Sequence, residues 1–110
     1  MAQTQVFRGV QSRIERDDST TRFIYRGTTV VEWFPLQERV VLRDGGWKSL
    51  TTKLRMNQAS NQFSLGYTVY QKARRWFVRT NAGTYRYKDG MQVSTVSGGV
   101  SFYPHIAPAV

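Results

Sequence analysis

The chain has 110 residues, room for one ordinary domain and too few for two. Hydrophobic residues make up 40% and aromatics 14%, which supplies a real core and excludes the composition of a disordered chain. The formal net charge of +9 attracts polyanions, and the lack of cysteine excludes disulfides, iron–sulfur clusters, thiolate zinc sites and a cysteine nucleophile.

Residues 1–21 are mixed. Val6, Val10 and Ile14 fall four apart, which suits one face of a helix or of a strand, so the period does not decide between them. Residues 15–21 are polar and turn-like. The expectation is an N-terminal segment, 1–21, that docks loosely. It lacks the long apolar core of a signal peptide, and no apolar run approaches the roughly 20 residues needed to span a membrane. A soluble protein in the compartment of its synthesis, the cytoplasm, is expected, with no membrane partner.

Residues 22–26 read as a strand, 27–28 as a turn, and 29–34 as the returning strand, rich in β-branched and aromatic side chains. Pro35 ends it because it cannot donate to a ladder. Residues 39–43 form a third strand. Asp44-Gly45-Gly46 is the sharpest turn in the chain, and Trp47 follows it as an anchor. The next thirteen residues show no β alternation. Thr52, Met56, Ala59 and Phe63 sit four, three and four apart, on one face of a helix over 49–61 with Ser49 as N-cap. Its residues are weak helix formers, so it depends on packing, with Met56 and Phe63 as buried keys. Leu65-Gly66 ends it.

Strands follow at 67–71, 76–80 and 84–87, separated by the basic connection 72–75 and by a turn at 81–83. Asp89-Gly90 turns the chain into a last short strand at 91–93. From Ser94 to Val110 no charged residue occurs; this tail either packs back through Val100, Phe102 and Ile106 or stays flexible. The predicted order is β-β-β-α-β-β-β: one α+β domain over 22–93, its antiparallel sheet of five to six strands covered on one face by the helix.

The main functional signal is the stretch from Gly45 to Lys88, which holds nine basic residues and no acidic one. Two of its runs, 74–77 and 85–88, set cations beside rings. Nucleic acid uses both, because cations pair with phosphates and rings stack on exposed bases. The bland alternative is that Trp76, Phe77 and the tyrosines are core and the arginines their solvated face. The helix start is a second device: its free N–H groups, the hydroxyls of Ser49, Thr51 and Thr52, and the charges of Lys48 and Lys53 could seat a phosphate. Arg55 adds charge, and Asn57, Gln58 and Asn61 could read base edges. The alternative there is ordinary capping. The candidate binding residues are therefore Lys48, Ser49, Thr51, Thr52, Lys53, Arg55, Asn57, Lys72, Arg74, Arg75, Arg79, Arg86 and Lys88.

Enzyme chemistry has little support. His105 is the single histidine, the seven acidic residues form no metal or general-acid motif, and no phosphate-binding glycine loop is present. No cofactor and no metal are expected.

The run from Gly46 to Asn57, followed by residues 66–71 and 76–78, resembles a group of small proteins of bacteriophages and related mobile elements. They share a Gly-Gly-Trp, Thr-Thr-Lys and Arg-Met-Asn core followed by a strand pair. The resemblance covers about residues 28–91. It implies a phage protein acting inside a bacterium and carries no activity with it. The reading that results is a small, basic, non-enzymatic nucleic-acid-binding protein, with DNA ahead of RNA. The alternatives are a phage inhibitor that sets its basic face against a host protein, and a virion component whose tail orders on assembly. Exposed strand edges or the tail could also support a homodimer.

Overall fold

Short strands joined by tight turns set the first part of the chain into a meander. The computed structural model describes Gly9 and residues 11–46 and 48–101. Strands β1 (Ser12–Arg16), β2 (Thr21–Tyr25), β3 (Thr28–Phe34) and β4 (Arg39–Leu42) pair antiparallel in sequence order. The β2–β3 turn is made by Arg26 and Gly27, one residue earlier than expected, both at positive φ (53° and 79°). That is the geometry matching strand twist in a two-residue hairpin. Phe23 pairs with Val31 and Ile24 with Thr29, so Val30 is a bulge residue. The bulge lets the consecutive valines Val30 and Val31 both enter the core, which regular alternation forbids. On its other side the Val30 carbonyl accepts the Arg43 N–H at 2.9 Å, extending the β3–β4 ladder.

The chain then leaves this sheet. Helix α1 (Leu50–Phe63) is followed by β5 (Thr68–Lys72), β6 (Arg75–Thr80) and β7 (Gly83–Arg86), which form a separate three-stranded antiparallel sheet. Strand β8 (Met91–Ser94) returns to pair with β4, and β9 (Val100–Ser101) closes the first sheet, whose order is β1-β2-β3-β4-β8-β9. The α+β class stands as read from the sequence, but there are two sheets rather than one. The reason is local. The Asn57 carboxamide donates to the Val69 carbonyl at 2.8 Å and accepts the Val69 N–H at 2.7 Å. The Ser60 hydroxyl donates to the Tyr67 carbonyl at 2.7 Å. Polar side chains of α1 thus hold the Val69 and Tyr67 backbone groups on the free edge of the β5 segment, where a neighbouring strand would otherwise pair.

Both end segments contribute strands to the first sheet. Within 1–21, residues 12–16 form an edge strand paired over its full length with β2, with Ile14 packed against the core. Within 94–110, Ser94 ends β8, and Val100 and Ser101 pair back onto Val93 and Gln92. The remainder of both segments lies outside the described residues.

One continuous core joins both sheets and the helix. Phe23, Val31, Val40, Leu42, Met91 and Val93 come from the first sheet, Met56 and Ala59 from α1, and Val69, Trp76 and Val78 from the second. Met56 is fully buried, while Phe63 is half-buried and packs its ring against Phe23 and Trp33 at 5.4 Å.

Candidate nucleic-acid interface

Alternation along the second sheet sorts its residues into two faces. The inner face carries Val69, Val78 and Trp76, all buried. The outer face is read from the register as cross-strand rows. Thr68, Arg79 and Thr84 form one, Tyr70, Phe77 and Arg86 the next, and Lys72 with Arg75 the third. Every cation in those rows is exposed, and no carboxylate belongs to the sheet. At the centre the rings of Tyr70 and Phe77 stack 5.6 Å apart with 25° between their planes. The Arg79 guanidinium lies 5.2 Å from the Tyr70 ring centroid.

The hairpin between β5 and β6 is tighter than the basic connection expected there. Lys72 pairs with Arg75, so only Ala73 and Arg74 form the turn, and both adopt positive φ (53° and 65°). Neither is a glycine, so the turn holds Arg74 at the tip against a backbone preference.

The helix start reaches the same end of the sheet. Ser49 caps α1 by accepting the Thr52 N–H at 3.1 Å, and its hydroxyl lies 3.0 Å from that of Thr52. Lys53 Nζ sits 3.4 Å from Gln71 Oε1, beside Lys72, and 6.0 Å from the Trp76 ring. Lys48 Nζ lies 5.6 Å from the Tyr87 ring, next to Lys88. Lys48, Lys53, Lys72, Arg74, Arg75 and Lys88 therefore gather around one end of the second sheet, while Arg79 and Arg86 continue along its outer face. Thr51 is half-buried in the first helical turn.

Three candidates are engaged inside the fold. Asn57 is buried, and both ends of its amide are held by Val69, so it is not presented to a base. Thr52 is buried beside the cap. Arg55 is buried on another side of the helix, where its Nε donates to Ser12 Oγ at 2.8 Å and its guanidinium lies 5.5 Å from the Tyr25 ring. Gly9 lies against that guanidinium, which a Cβ there would displace, and its φ of 141° is one that other residues rarely adopt. Trp76 and Tyr87 take the core reading, their rings packed 5.3 Å apart inside. Tyr70 and Phe77 were missed as a pair. Their alternation with Val69 and Val78 is the signal that separates the outward rings from the inward ones. Trp47 lies outside the described residues.

Charge is segregated. The ion pairs among the described residues join Arg13 to Glu15, Arg22 to Asp17 and Glu32, and Arg43 to Glu32, all on or flanking the first four strands. None involves a cation of the second sheet. Asp44 and Asp89 bound the acid-free stretch at its base. Asp44 is buried and lines a cavity of about 290 Å³ with Thr28 and Thr52. Its Oδ2 and the Tyr87 hydroxyl are buried without a hydrogen-bond partner among the described residues. Burial, and then the Asp44 carboxylate, push the Tyr87 phenol far above its ordinary range, and burial does the same to Tyr67.

These features define a small α+β domain with an open, basic sheet face; among the described residues no helix is long and apolar enough to cross a membrane. The chain belongs to the Kyanoviridae Gp96 protein family, a phage protein family whose model matches residues 2–94. No curated protein and no solved structure matches it.

Proposed function

We propose that this phage-family protein is a small non-enzymatic DNA-binding protein that grips phosphates with the outer face and hairpin end of its second sheet. The observation that carries the reading is the set of five exposed cations, Lys72, Arg74, Arg75, Arg79 and Arg86, on one hairpin sheet without a carboxylate. Such a surface holds a polyanion by releasing its counterions, so binding should be steep in salt. The helix start extends the grip through Lys48 and Lys53, while the Ser49 hydroxyl is already spent on its own helix.

The test is fluorescence anisotropy of labelled DNA against salt concentration. The expected result is binding whose salt slope falls by about two when Arg74 and Arg75 are both changed to alanine, whatever the DNA sequence. Unchanged affinity in that variant removes the hairpin from the interface. No binding even at low salt overturns the proposal and directs the search to an acidic host protein as the partner of the same face.

A further inference from the structure

We infer that the Tyr70–Phe77 pair is a stacking platform for unpaired bases, and that the form of DNA bound by this face is single-stranded. The inference rests on the proposed DNA-binding role of the second sheet and assigns it a ligand class and two residues that charge alone does not indicate.

Three observations carry it. First, Tyr70 and Phe77 are large aromatics on the solvent side of a sheet whose other side already meets the core, and both stay half-exposed. The inner face already packs Val69, Trp76 and Val78, so burial in the core does not account for rings on the outer face. Second, the two rings are cross-strand partners that stack on each other, 5.6 Å apart and 25° from parallel, so their orientation is set before any ligand arrives. Third, cations surround them in register. Arg79 lies over Tyr70, Arg86 is the partner of Phe77 on β7, and Lys72 and Arg75 form the adjoining row. Rings at the centre with cations on the flanks match a chain whose bases can turn inward while its phosphates pass along the edges.

That arrangement discriminates by base accessibility. In a duplex each base is covered above and below by its neighbours, so a side-chain ring gains nothing from its π-face. An unpaired base has a free face, and stacking on it is tolerant of sequence because every base is planar. Among the described residues of the sheet, only the Thr68 and Thr84 hydroxyls accompany the rings and cations on the outer face. Stacking and phosphate pairing need no ribose 2′-OH, so single-stranded DNA satisfies every contact the platform offers.

The experiment compares a labelled oligo-dT, the equivalent oligo-rU and a duplex of equal length, each across a salt series. The variants are Tyr70→Ile with Phe77→Ile, which keeps a β-forming apolar surface without a π-face, and Phe77→Trp, which keeps the ring. Circular dichroism confirms that each is folded. The expected result is tighter binding of oligo-dT than of duplex. The double isoleucine variant should lose about 5- to 150-fold on oligo-dT for each base stacked. Its salt slope and duplex affinity should not change, and Phe77→Trp should bind oligo-dT at least as well as the parent. Duplex preference, or equal oligo-dT affinity in the isoleucine variant, overturns the platform while leaving phosphate binding by the basic face intact. Tighter binding of oligo-rU overturns the assignment to DNA. Absence of binding to all three at low salt defeats the underlying reading instead.

Discussion

Asp44 and Asp89, 45 positions apart in the chain, meet through the Asp44 N–H, which donates to Asp89 Oδ1 at 2.8 Å. They are the acidic residues that bracket the stretch of nine cations. Their contact closes the excursion that carries α1 and the second sheet at the point where it leaves and rejoins the first sheet. Gly90 N–H reinforces the closure by donating to the Leu42 carbonyl at 2.7 Å. Asp89→Ala leaves a part-buried N–H unsatisfied and should cost about 1–3 kcal/mol in chemical denaturation. Asp89→Asn retains an acceptor oxygen and should stay close to the parent. Equal loss in both variants would show that the charge matters rather than the hydrogen bond.

The Asn57 carboxamide stands in for a neighbouring strand along β5. Removing it in Asn57→Ala orphans both the N–H and the carbonyl of buried Val69, a loss of about 2–4 kcal/mol from two unmade hydrogen bonds. A thermal or urea melt reads this directly. Under conditions where the variant remains folded its DNA affinity should be that of the parent. A folded Asn57→Ala protein of normal stability and reduced affinity would restore Asn57 to the interface.

Strain at the β5–β6 turn and its charge can be separated. Ala73 and Arg74 occupy left-handed backbone that favours Asn and Gly. The pair Ala73→Asn and Arg74→Gly should raise stability by about 1–2 kcal/mol, because the new residues adopt that conformation at lower cost. The same protein should bind DNA with a salt slope reduced by about one, having lost one cation. A gain in stability without any change in slope would place Arg74 outside the DNA contact.

Alkali should find two silent tyrosines. Burial holds the phenols of Tyr67 and Tyr87 protonated well above the ordinary value of about 10. In the unfolded chain they ionise normally. Their contribution to stability is therefore present below pH 10 and is lost as pH rises above it, since only the unfolded state then releases the protons. Ultraviolet titration should show these two phenols ionising only together with unfolding. Smooth ionisation of every tyrosine near pH 10 in a protein that remains folded would contradict the burial.

Much of the fold was legible locally. The four-three-four spacing of Thr52, Met56, Ala59 and Phe63 and the cap at Ser49 mark α1, and the hairpin turns mark β2 to β8, though not β1 or β9, to within a residue or two. The division into two sheets was not legible, because it rests on Asn57 and Ser60 meeting a backbone edge that only the folded chain brings to them. In the candidate site, the cations were countable from the sequence, but Arg55 and Asn57 looked like their exposed neighbours. Their burial depends on what packs over each side of the helix, which is a property of the partner elements rather than of the residues themselves.

By itself the sequence determined the charge, the single-domain scale, the α+β class and the positions of the turns, all of which depend on residue type and short-range spacing. Only the tertiary structure decided which side of each element meets solvent. Register across β5, β6 and β7 turned Tyr70 and Phe77 outward into the ring of cations and Trp76 inward to the core. The physical reason is that alternation separates two faces, while the choice of which face is buried belongs to the helix and sheet that arrive from elsewhere in the chain.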